Sequence, residues 1–216
     1  MNSTLPGSTF GLSALLTATL LSLGCGPKRV PSSVLDKLSY ESRIELLEAE
    51  NELALSVDHL DEAKNEVLRT REAIRRAKDR LSAAEKEVGN AKDAQSKEVA
   101  VLAVDEAEAR VEYLRARQKV NTANEDLQDE ELSCAHERFE LARVNVARKA
   151  KVKGSEGLQP EKFEKQVKSC EADVAKHRAE IKERSKKVEL AKSEWDKRKT
   201  VLARKTFDAR ASPYVE

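Results

Sequence analysis

Three cysteines (Cys25, Cys134, Cys170) and three histidines (His59, His136, His177) are the side chains in this chain best suited to specific chemistry. Their spacing limits what they can do. No histidine has a second histidine or cysteine at helical ligand spacing. His136 lies two positions from Cys134 and so points to another helix face, while His177 follows Cys170 on the same face but two turns away. No metal site is expected. Cys134 and Cys170 both fall on apolar seam positions described below. They are either two small core residues or the halves of a disulfide between helices, which an oxidising compartment allows. Carboxylates abound, but a helix surface offers no cleft that desolvates one acid beside another. A glycine-rich phosphate loop and a nucleophile elbow are both lacking. No catalytic residue, cofactor or small-molecule substrate is expected, and the chain reads as a non-enzyme.

Cys25 stands apart from the other two. The chain carries no charged side chain before Lys28, and the apolar run Phe10–Leu23 has about the length of a signal-peptide core and is short for a membrane span. Gly24 supplies a small residue immediately before the cysteine. The stretch LSLGC (21–25) resembles the lipobox of bacterial lipoproteins, with Ser22 where Leu is usual and Leu23 where a small residue is usual. The resemblance implies cleavage before Cys25, removal of residues 1–24, and a covalent lipid, palmitate among its acyl chains, on Cys25. It also implies a bacterial cell-envelope location. Gly26, in place of an inner-membrane-retaining Asp, implies the outer membrane with the body facing the periplasm. The other reading of the same run is an uncleaved single-span anchor. Both readings tether the chain to a membrane.

The elements that follow are dictated by composition and period. Asp, Glu, Lys and Arg make up 37% of the chain and aromatics only 4%, with seven glycines and five prolines, which points to long helices. The formal charge of +1 gives no reason to expect nucleic acid as a partner. A first ladder at a seven-residue step runs Leu46, Leu53, Leu60, Val67, Ile74, Leu81, Val88, with the small companions Ala49, Ser56, Ala63, Thr70, Ala77 and Ala84 three residues on. Large and small seam positions in alternation suit close antiparallel coiled-coil packing. A second ladder runs Val99, Glu106, Tyr113, Val120, Leu127, Cys134, Leu141, and near residue 130 a shifted seam, Leu132, Ala135, Phe139, Ala142, Val146, reads as a stutter. A third runs Val167, Val174, Ile181, Val188, Trp195, Leu202.

The expected fold is all-α: a long antiparallel coiled-coil hairpin or, alternatively, an elongated three-helix bundle. The chain divides into a signal segment 1–24, the lipid-bearing Cys25 with a flexible spacer to 33, and a long helix 34–152 with a candidate break at 89–98. A turn at 153–160, a return helix 161–208 and a tail 209–216 complete it. Gly154 or Gly157 is expected to end the long helix and Pro160 to open the next. A hairpin folded at about residue 156 sets acidic 124–131 against basic 181–188, and 105–112 against 196–205. It leaves Cys170 about 12 Å from the level of Cys134, a gap only an asymmetric turn closes. A three-helix arrangement is expected to bring acidic 41–52 near acidic 128–140, which weighs towards the extended form.

The expected function is that of a membrane-anchored coiled-coil lipoprotein acting as a structural spacer or protein-interaction scaffold. Its partners are the membrane, through the lipid, and a protein or a second copy, through the coiled coil. Two alternatives come from resemblances of shape. The hairpin is similar to those of trans-envelope efflux adaptors, and the long helices are similar to the arms of periplasmic holdase chaperones. Both families carry β-rich parts that have no counterpart here.

Overall fold

The computed structural model describes residues 29–207. The signal segment, Cys25 and the tail 209–216 lie outside the described residues. A short helical turn, α1 (Ser32–Leu35), is followed by three long helices, α2 (Tyr40–Asn90), α3 (Ala94–Lys149) and α4 (Pro160–Thr206). Described residues form no strand. At 1.5 Å per residue the long helices span about 77, 84 and 70 Å. The protein is all-α, with extensive antiparallel packing of α2 on α3 and of α3 on α4.

The extended form of the 34–152 segment is not adopted. The helix breaks at residues 91–93 and the chain reverses. Ala91 leaves the helix in an extended conformation (ψ 125°), and the Asp93 carboxylate accepts from the Ser96 N–H at 2.8 Å and the Ser96 hydroxyl at 2.6 Å. These bonds, made to the charged form, hold the Asp93 carboxyl below the usual range. Gly89 stays inside the last turn of α2, so the cap that begins α3 marks the reversal, not a glycine that ends α2.

α3 is the middle helix. Among the described residues no Cα of α2 comes within 8 Å of one in α4. A helix packed on two sides needs two seams. Glu106, Tyr113, Leu127 and Cys134, from the second ladder, face α4. Buried Ala100, Ala107, Leu114 and Ala135, one residue later at the same seven-residue step, share a line with Asn121, which bonds to α2. The apparent stutter near residue 130 is where this second seam becomes apolar enough to notice.

The first ladder is covered by α3 along its length. Leu46, Leu60, Val67 and Ile74 are buried, and Leu53, Leu81 and Val88 are half-buried. One polar pair fixes the α2–α3 register: Asn121 Nδ2 donates to Thr70 Oγ1 at 2.7 Å, and Thr70 Oγ1 donates to the Glu66 carbonyl at 2.8 Å. A half-buried polar contact of this kind penalises slipped registers because they strand the amide. The resulting register overturns the expected acidic clash. Residues 41–52 lie against the basic end of α3, where Glu52 pairs with Arg138 and Glu45 with Lys149 (2.7 Å).

The α3–α4 register is also shifted from the expected centre at 156. Cys134–Cys170, Asp105–Arg198 and Glu98–Lys205 pair about a centre near residue 152. The cause is the connection 150–159. Lys151, at φ 50°, takes the left-handed position, with its N–H donating to the Arg148 carbonyl and the Val152 N–H to the Ala147 carbonyl. This is a Schellman stop with lysine where glycine is usual. The chain then folds back over the bundle end, burying Val152, Ser155 and Leu158, and Gly154 passes at φ 101° with Val34 beside it. Pro160 therefore opens α4 about level with Val144, roughly 8 Å below the end of α3.

Candidate functional site

Functional features concentrate at the end of the bundle holding the start of α2, the end of α3 and the 150–159 connection. Residues 29–38, at the join to the expected tether, are not a free spacer. Val30, Val34 and Leu38 are buried in one cluster with Leu46, Val144, Val146, Ala147, Val152, Leu158 and Phe163. Two arginines fasten this strap by its backbone: Arg143 donates to the Val30 carbonyl (3.4 Å) and Arg43 to the Asp36 carbonyl (2.9 Å). Arg143 also pairs with Glu140 at 2.5 Å and lies over the Phe139 ring at 5.3 Å. Of the expected flexible spacer 25–33, the described residues 29–33 are thus packed and not free. Proline limits the local conformations, and two valines at a four-residue step find a cleft between α3 and the connection.

Cys134 and Cys170 form a disulfide between α3 and α4, with Cα atoms 5.6 Å apart. The folded-back connection is the asymmetric turn that brings them level. Leu127, Val174 and half-buried Ile181 pack around the bridge.

Further along, Trp195 occupies the third ladder and stacks on Tyr113, with ring centroids 5.3 Å apart. Its indole N–H donates to the buried Glu106 carboxylate at 2.5 Å, and Arg110 and Lys199 lie over the ring at 5.3 and 5.5 Å. Glu106 on a seam position is therefore the acceptor that lets Trp195 be buried. Spacing in the sequence placed both residues on seams but gave no sign that they meet. On the neighbouring surface Arg198 pairs with Glu194 and Asp105, and these carboxylates raise the arginine further above its usual range. Val167 and Val188 are half-buried and Leu202 is buried on α4, and Val120 is half-buried on α3.

His59 and His136 are exposed and His177 is half-buried, on three different helices. Among the described residues no group of three His, Cys, Asp or Glu side chains is placed to hold a metal ion, and no helix is long and apolar enough to cross a membrane. What the surface does offer is apolar area. Tyr40 (75% exposed), Ile44, Leu47 and Leu55 share the outer face of α2, turned away from its seam and bordered by Glu41, Glu48 and Asp58. Leu190 and Val201 are exposed on α4, and Phe207 at its end is 98% exposed. The first ladder needs no outside partner, because α3 supplies its cover. The exposed outer face of α2 was missed, since a stripe of only four apolar residues does not stand out beside a seven-member ladder. No protein-family model, curated protein or solved structure matches the chain.

Proposed function

We propose that this chain is a lipid-anchored coiled-coil strut of the bacterial cell envelope, a spacer and protein-interaction scaffold rather than an enzyme. One observation carries the reading: residues 29–38 are folded into one end of a bundle about 80 Å long, so a tether at Cys25 would be attached to that end and not to a loose leash. Cys25 lies five residues before Val30, a reach of at most about 18 Å. A lipid there, buried through more than one acyl chain, would hold the base nearly permanently. The body would extend into the periplasm from the outer membrane, and the outer face of α2 would offer Tyr40, Ile44, Leu47 and Leu55 to a partner helix.

The transport-hairpin reading fits less well. An efflux-type hairpin docks through its free tip, whereas the 150–159 connection, the turn expected to be that tip, packs against the strap at the end that would carry the tether. Among the described residues no enclosed apolar surface supports the holdase reading. Radiolabelled palmitate fed to a bacterial host expressing the full chain tests the proposal. The label and the membrane-pellet fraction are both expected to disappear in Cys25→Ala, with helix content unchanged. Membrane retention of Cys25→Ala without label would favour the uncleaved span, and a soluble, unlabelled wild type would discard both anchors.

A further inference from the structure

The base of the rod carries a cluster of basic side chains. Residues 148–153 hold Arg148, Lys149, Lys151 and Lys153 with no acidic residue among them. Lys149 pairs with Glu45, whereas Arg148, Lys151 and Lys153 are exposed and form no salt bridge among the described residues. Burial recurs here at every third residue: Val152, Ser155 and Leu158 are buried, and Lys151 and Lys153, on either side of Val152, are exposed. Its acidic member, Glu156, accepts from the Gly154 N–H at 2.8 Å and is attracted to Lys153 without forming a salt bridge with it. Lys151 also occupies the left-handed position, where glycine would sit without strain, so a positive side chain is kept at a conformational cost. Val152 shares the cluster that buries Val30, so these cations lie at the end where the chain leads back to Cys25.

We propose that Arg148, Lys151 and Lys153 form a docking surface for anionic phospholipid headgroups, which seats the base of the rod on the membrane and sets its angle to the surface. The proposal rests on the Cys25 tether argued above. The lipid supplies attachment at one point, and the basic end supplies the second contact that a rod needs to stand at a defined tilt. Basic residues gain from the negative surface potential only within about a Debye length, so the base has to rest on the headgroups themselves, which a tether reaching at most about 18 Å from Val30 permits.

The test uses the full chain, purified from bacterial membranes and reconstituted into vesicles of phosphatidylcholine alone or mixed with phosphatidylglycerol. A donor fluorophore is attached at Gly157→Cys, where a side chain meets nothing within 4 Å, and the other two body cysteines are occupied by their disulfide. Energy transfer to headgroup-labelled lipid reports docking. Transfer is expected to be higher in the anionic vesicles and to fall at 1 M salt, where the Debye length is about 3 Å. The variant K151Q/K153Q is expected to lower the docked-to-undocked ratio about 30-fold, the effect of two surface lysines. Equal transfer in both vesicle types, unmoved by K151Q/K153Q while the chain still co-floats with lipid, would overturn the docking surface alone. Failure to co-float would overturn the tether and this proposal with it.

Discussion

Phe163→Ala is expected to destabilise the protein by about 3–5 kcal/mol and to release the strap at residues 29–38 from the bundle. Phe163 is 1% exposed and is the largest of the fully buried side chains. It sits in the first turn of α4, in the cluster where the strap, the start of α2, the end of α3 and the connection meet. Loss of the ring leaves a cavity that four separate chain segments would have to close. Helical hydrogen bonds hold the start of α2 and the end of α3, the connection is fixed at both ends by α3 and α4, and the strap is the segment free to leave. Denaturant unfolding should give the lower stability, and amide exchange should show Val30–Leu38 losing protection well before α2 and α3. A change below about 1 kcal/mol, or unaltered exchange in the strap, would contradict this account of how the base is built.

Removal of the disulfide is the second large effect. The bridge joins residues 36 apart across α3 and α4. Chain-entropy bookkeeping for a loop of that size gives about 3–4 kcal/mol at 25 °C. For a chain of this length that corresponds to a fall in Tm of roughly 7–14 °C. The paired variant C134S/C170S, or reduction of the wild type, should show this fall with little loss of helix signal at low temperature, because the surrounding Leu127, Val174 and Ile181 still pack. Two titratable thiols in the unreduced body, or a Tm indifferent to reductant, would remove the bridge from the account. An oxidising compartment is where such a bond persists, which agrees with the periplasmic placement proposed for the body.

The three ladders were legible because burial on one side repeats every seven residues, and side chains of the right size recur at that step. Less legible was how many sides each helix buries. α3 buries two, and its α2-facing line of Ala100, Ala107, Leu114, Asn121 and Ala135 is built from small and polar residues that leave a faint hydrophobic signal. The registers were hidden for a related reason. Charge blocks choose among alignments only weakly, and the actual alignment is set by Asn121–Thr70 on one side and by the folded-back connection on the other. The helix stop was misplaced because glycine is the usual left-handed residue and two were available, at 154 and 157, yet Lys151 takes that role. The strap escaped notice because Val30, Val34 and Leu38 lie in a short segment with two prolines nearby, too brief to show a period. Of the candidate site, Cys25 is an expectation from its local pattern that lies outside the described residues, while the surface proposed to accompany it depends on how distant segments come together.

The central claim is that the Leu/Ala seam of α2 is covered by α3 of the same chain, leaving only the outer faces for partners. Spin labels at Glu48→Cys and Asn145→Cys, exposed positions on α2 and α3, measure it directly. The account predicts a label separation of less than about 30 Å, unchanged when labelled protein is diluted into a large excess of unlabelled protein. An uninterrupted helix would place the labels about 145 Å apart. Absence of the short distance, or its disappearance on dilution, would show that the seam is open or is filled by another chain, and would contradict the account.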